Sequence, residues 1–148
     1  YPRGAQRAIP ESIKPTFADF DVFGDENAEK AIITYGRTFS ACAFAYEKLV
    51  NSGESVKLIK LNRIIPVCEG AVEAAKNCKD VYFFEEGIRR GGAGEGFLFD
   101  LSKAGFSGKY HLRAIENGFV KQASVESLLH KYGFDEEGVL SFVASAEA

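Results

Sequence analysis

Four large residues in a row, Val81, Tyr82, Phe83 and Phe84, run into two glutamates and then into Gly87, Gly91, Gly92, Gly94 and Gly96. An apolar run without alternation is buried on both faces, so it belongs inside a sheet that helices cover on both sides. The glycines permit backbone angles and close approaches that a side chain forbids. Beyond them Phe97, Leu98, Phe99 and Leu101 resume at helical spacing. The stretch reads as strand, glycine-rich turn and helix, and the rest of the chain must fit around it.

Glycine amides at a helix N-terminus direct positive partial charge at an anion. The spacing here matches neither common phosphate motif. A P-loop needs G-x-x-x-x-G-K-[ST], but Gly92 is followed by Ala93 and Gly96 by Phe97. The dinucleotide pattern fails at Phe97, where a third glycine is required. The turn therefore has two readings. It is a structural turn, or it is an anion or partner contact carried by Arg89, Arg90, Gly92 and Gly94.

In chain order, Tyr1 to Thr16 holds Pro2, Gly4, Pro10 and Pro15 and reads as an interdomain linker, with a single domain over residues 17–148. Phe17, Phe20, Val22 and Phe23 suggest a short edge strand, and Ala31 to Tyr35 a buried one. Thr38 is placed to cap a helix on which Phe39, Ala43, Tyr46, Leu49 and Val50 share a face. Val56 to Leu61 is the next strand, and Pro66 is placed to start the next helix, with Cys68, Ala71, Val72 and Ala75 on its face. Tyr110 to Ile115 is the last strand. Ser124 and Asp135 are placed to cap two closing helices, the first ended by Gly133. Strands alternating with helices predict an α/β fold with a mostly parallel sheet.

Composition removes several function classes. A net charge of -3 gives no general attraction to nucleic acid or to acidic membranes. No apolar run approaches the roughly 18 residues of a membrane span, and no signal layout opens the chain. Cys42, Cys68 and Cys78 are odd in number and unpaired in spacing, which fits reduced, buried thiols in a cytoplasmic protein. His111 and His130 lack the spacing of a zinc site, so no metal is expected. The chain contains no methionine, which reads as a piece of something longer.

Candidate chemistry is thin. No serine lies in a nucleophile-elbow motif, so a hydrolytic triad is not supported. Glu85 and Glu86 end a central strand, where ligands of open α/β sheets gather. They are either a carboxylate pair for acid/base work, or one fixes the turn by accepting loop amides while the other faces solvent. His111 and His130 read as a strand residue and a helix-surface residue.

YPRG at Tyr1 to Gly4, ITYG at Ile33 to Gly36, EEG before GGAGEG, and a tail carried by Phe119, Val120, Ser124, Leu128, Leu129, Gly133, Phe134, Asp135 and Val139 resemble the C-terminal domain of the 1-deoxy-D-xylulose-5-phosphate synthase family. These are transketolase-like thiamine diphosphate enzymes. The chain departs from the family pattern at Gln122 and Ala123, and over Ile115 to Gly118. The resemblance implies a three-layer α/β/α domain with a five-stranded mixed sheet whose first strand is antiparallel. It implies a parent enzyme, a cytoplasmic homodimer, that condenses pyruvate with glyceraldehyde 3-phosphate and releases carbon dioxide. Thiamine diphosphate and Mg2+ would bind in the N-terminal and central domains, with no catalytic, cofactor or metal residue here. It also implies that Arg3 holds the phosphate of glyceraldehyde 3-phosphate, and that the fragment alone is inactive. The alternative is the docking domain of a 2-oxo acid dehydrogenase beta subunit. A third reading is an independent module that binds a small anion at Gly91 to Gly96.

Overall fold

The computed structural model describes residues 8–88, 91–115, 130–131 and 133–145. Five strands form one sheet: β1 (Phe20–Phe23), β2 (Lys30–Tyr35), β3 (Val56–Leu61), β4 (Asp80–Ile88) and β5 (Lys109–Ile115). Their order is β1-β3-β2-β4-β5. β1 runs antiparallel to β3, and the remaining pairs are parallel. The mixed sheet with an antiparallel first strand is the architecture that the resemblance implies. Among the described residues four helices flank it: α1 (Phe39–Asn51), α2 (Glu69–Ala75), α3 (Ala93–Lys103) and α4 (Glu136–Ser145).

Successive strand residues point to opposite faces, so each strand feeds two cores. Ile32, Leu58, Tyr82 and Phe84 pack with α1 and α4, through Cys42, Ala43, Val139 and Val143. Ile33, Ile59, Val81 and Phe83 pack with α2 and α3, through Ala71, Ala75, Phe97 and Leu101. The result is helix, sheet, helix in three layers. Residues 81–84 are fully buried, as an unalternated run requires. Ile13, in a short 3-10 turn (Glu11–Ile13), is also buried in the α1 and α4 core.

Several local expectations are corrected. Phe17 lies outside β1 and is fully exposed. β4 continues past its two glutamates to Ile88, because Ile88 still pairs with Ile115 beyond a register shift. α2 begins at Glu69 with Cys68 at the N-cap position, not at Pro66, whose peptide bond with Ile65 is cis. Thr38 closes a 3-10 turn (Gly36–Thr38) in helical backbone, whereas a capping side chain needs an extended residue. Its hydroxyl instead donates to the Tyr35 carbonyl at 2.9 Å. The helix expected from Ser124 lies outside the described residues. Asp135 does cap α4, accepting from the Gly138 amide at 2.8 Å.

Lys57 is buried on β3 beneath α2. Its ammonium donates at 2.7 Å to the carbonyls of Glu26 and Ala74, the latter in the last turn of α2. That helix end carries negative partial charge, which suits a cation.

Candidate functional site

The C-terminal ends of β2 and β4 meet the start of α3, and chemistry-bearing side chains converge there. Glu85 and Glu86 are adjacent in an extended strand, so their side chains leave on opposite faces. Glu85 is fully buried on the α3 side. Its carboxylate accepts from the Ala93 amide at 3.1 Å, the Gly94 amide at 2.9 Å and the Tyr35 hydroxyl at 2.9 Å. The first two donors are orphan amides of the α3 N-terminus, where negative charge also meets the positive end of the helix. Glu86 leaves on the other side, where both its oxygens accept from Arg37, one from Nε at 3.0 Å and one from the terminal nitrogen. Acid/base cooperation between the two carboxylates on one substrate is thereby ruled out by geometry.

Two tyrosines that sequence reasoning does not single out complete the arrangement. Tyr35 binds Glu85 directly, and Tyr110 donates to the Gly94 carbonyl at 2.6 Å. Burial raises both phenol pKa values, with the hydrogen bond and charge of Glu85 adding to the shift at Tyr35 and the charge of Glu85 adding at Tyr110. Both stay protonated at neutral pH and act as donors. The hydrogen bond with Glu86, followed by its charge, raises the pKa of the exposed Arg37.

Gly94 must be glycine for a reason of space. A Cβ built there would stand 2.4 Å from Leu112 Cδ1, 2.8 Å from Glu85 Oε1 and 3.2 Å from Phe83 Cδ1. Gly92 sits at the N-cap position in extended backbone that any residue adopts, whereas Gly91 has φ +75° and favours glycine. Of the four candidate contact residues, Gly92 and Gly94 thus frame a carboxylate-capped helix start, and Arg89 and Arg90 lie outside the described residues. Arg3 lies outside them as well. A surface groove of about 570 Å³ opens elsewhere, between α2 and α3, lined by Pro66, Val67, Glu69, Asp100 and Lys103 among others. It is separate from Glu85.

Among the described residues, His130, Asp135 and Glu137 place possible ligand atoms within 4.8 Å of one another on the surface. Asp135 is already engaged, with one oxygen on the Gly138 amide and the other 2.7 Å from His130 Nδ1. Burial pushes the Asp135 pKa up, but the hydrogen bonds from His130 and Gly138 outweigh it and hold the pKa below 3.8. The same hydrogen bond, then the charge of Asp135, raises His130 above 6.5. The histidine contribution is full below about pH 6.5 and fades as pH rises through the folded value. The aspartate contribution is present above about pH 3.8 and fades as pH falls through its folded value. The pair stabilises most between those limits. We expect the Tm difference between the parent chain and His130→Ala to be largest near pH 5 to 6 and to shrink toward pH 9. A difference independent of pH would contradict the pairing. The other imidazole, His111, lies 2.9 Å from Asp80 and stacks on Tyr82.

The family model for the transketolase C-terminal domain matches residues 24–139. This chain belongs to that family. The transketolase C-terminal domain seen here is similar to curated proteins named 1-deoxy-D-xylulose-5-phosphate synthase. One from Bacteroides fragilis is 29% identical over 76% of this chain and 18% of its own length. Another, from Geobacillus thermodenitrificans, is 28% identical over 90% of this chain and 22% of its own. A third, from Bacillus mycoides, is 30% identical over 78% and 19%. The chain spans about a fifth of the length of these relatives. A solved structure described as a split gene transketolase, inactive beta4 tetramer, superposes with TM-score 0.75 at 21% identity. It covers 93% of this chain and 46% of the other, and it supports the fold. No helix among the described residues is long and apolar enough to cross a membrane.

Proposed function

We propose that this transketolase C-terminal domain is part of a cytoplasmic 1-deoxy-D-xylulose-5-phosphate synthase, which joins pyruvate to glyceraldehyde 3-phosphate with loss of carbon dioxide. The observation that carries the reading is similarity over most of the chain to proteins of that name, at 28 to 30% identity. Thiamine diphosphate with Mg2+, held on the two preceding domains, would supply the electron sink for decarboxylation. The role of this chain is to pack on those domains within a homodimer and to present Arg3 to the substrate. The fragment by itself is inactive in this reading.

The geometry supports a scaffold. Glu85, the most deeply buried acidic group of the strand ends, serves the helix start and a tyrosine. Because Glu85 takes the Ala93 and Gly94 amides, the turn is read as structural in preference to an anion cradle, with a partner contact the role left to Arg89 and Arg90.

A guanidinium offers phosphate a rigid two-pronged donor. Losing one charged contact costs about 1.5 to 3 kcal/mol, or roughly 10- to 150-fold. In the whole enzyme, Arg3→Ala should lower kcat/KM for glyceraldehyde 3-phosphate by that factor and leave the KM for pyruvate nearly unchanged. Equal losses for both substrates would count against the phosphate role.

A further inference from the structure

Phe17 is fully exposed and Ile65 is 83% exposed, yet neither sits on a loose loop. Thr16 donates to Asp21 through its amide at 3.0 Å and its hydroxyl at 2.7 Å. The Ala18 amide returns to the Thr16 hydroxyl at 3.1 Å, so both residues beside Phe17 are tied. The loop after β3 is bonded to the same segment. Asn62 Nδ2 donates to the Ala18 carbonyl at 2.8 Å, and the amides of Asn62 and Arg63 both donate to the Asp19 carbonyl at 2.9 Å. Ile65 follows two residues later, before the Cys68 thiol bonds back to the Arg63 carbonyl at 3.2 Å. Two large apolar side chains are thus displayed from one pair of mutually pinned loops at the β1 edge of the sheet.

Two large apolar side chains held in water on loops that are hydrogen-bonded to each other are unfavourable in isolation, and their fixed display suits a contact surface. Its size identifies the kind of partner. A phenylalanine and an isoleucine offer on the order of 300 to 400 Å² on this side, below the roughly 600 to 1,000 Å² that each partner buries in a stable complex between free proteins. Such a patch suffices only for a partner held nearby by a tether, where association is intramolecular. Ile13, four residues before Phe17, is buried in the α1 and α4 core and so fixes the chain on its way to Phe17. The family model is that of a C-terminal domain, and the relatives are about five times as long as this chain.

We infer that Phe17 and Ile65 form an apolar contact that seats against the domain preceding this one in the same polypeptide. The inference rests on the proposed reading of the chain as one domain of a larger enzyme, and it deepens that reading by naming the contact.

The test is thiol labelling of Phe17→Cys and Ile65→Cys, with Ser107→Cys as an exposed control, in the 148-residue chain and in the whole polypeptide. Cys42, Cys68 and Cys78 are buried, and peptide mapping reads positions 17, 65 and 107 apart from any other thiol of the whole polypeptide. The inference expects labelling at positions 17 and 65 to slow about tenfold or more in the whole polypeptide, with position 107 unchanged. Equal rates in the two proteins would overturn it. Protection within the 148-residue chain that grows with its concentration would overturn it too, because the occupant would then be a second copy. Radical footprinting of the unsubstituted proteins reads Phe17 directly, should a variant fold poorly. Labelling does not depend on turnover. Protection in a polypeptide lacking synthase activity would support the contact and fail the activity, and activity without protection would do the reverse.

Discussion

Replacing Glu85 with leucine is expected to lower the unfolding free energy by roughly 3 to 5 kcal/mol, which for a domain of this size is a fall in Tm of about 6 to 20 °C. The side chain is fully buried and serves three donors, the Ala93 and Gly94 amides and the Tyr35 hydroxyl. Leucine keeps the volume but accepts nothing, and each stranded donor costs about 1 to 3 kcal/mol. Tyr35 is only partly buried and can turn to water, so the total falls below the full sum. Glu85→Gln keeps an acceptor and loses the charge, and should cost about half as much. Tyr35→Phe, which removes one donor and strands nothing, should cost less again. Chemical denaturation of the three variants checks the order. A shift under about 1 kcal/mol for leucine would mean that the α3 N-terminus is satisfied in some other way.

Two glycines of one helix should respond with opposite signs. Gly94 and Gly96 both lie in the first turns of α3, and a composition argument treats them alike. A Cβ at Gly94 would press on Leu112, Glu85 and Phe83, of which Glu85 is locked by its donors and Phe83 is fully buried. Gly94→Val should therefore destabilise by about 3 kcal/mol through overpacking. A Cβ at Gly96 meets nothing within 4 Å, so Gly96→Ala should stabilise by roughly 0.5 to 1 kcal/mol from helix propensity alone. Thermal melts of the pair decide it. The same sign at both positions would refute the close approach of α3 to the sheet.

Much of this arrangement is legible in the amino-acid sequence. The buried run at 81–84, the strand-helix alternation and the Asp135 cap follow from local pattern, and local pattern holds where a residue bonds within its own segment. Glu85 as the residue that fixes the turn is one of two readings that the sequence leaves open. What decides between them is the pleat, which sends Glu85 and Glu86 to different faces, and the sequence alone does not place the helix that receives one of them. Tyr35 and Tyr110 escape a sequence reading because their partners lie 50 and 16 residues away. Lys57 lies within the strand expected over Val56 to Leu61, where nothing local marks a lysine as buried, and its burial depends on carbonyls 31 and 17 residues distant. Thr38 misleads because a hydroxyl before an apolar helix resembles a cap, while the preceding Gly36 turn rotates its backbone out of the capping conformation.

The proposed role places the chemistry on polypeptide outside these 148 residues, and calorimetric titration of thiamine diphosphate in the presence of Mg2+ tests that placement most directly. The account predicts saturable binding to the whole polypeptide and no binding heat with the 148-residue chain. Micromolar binding to the 148-residue chain would contradict it.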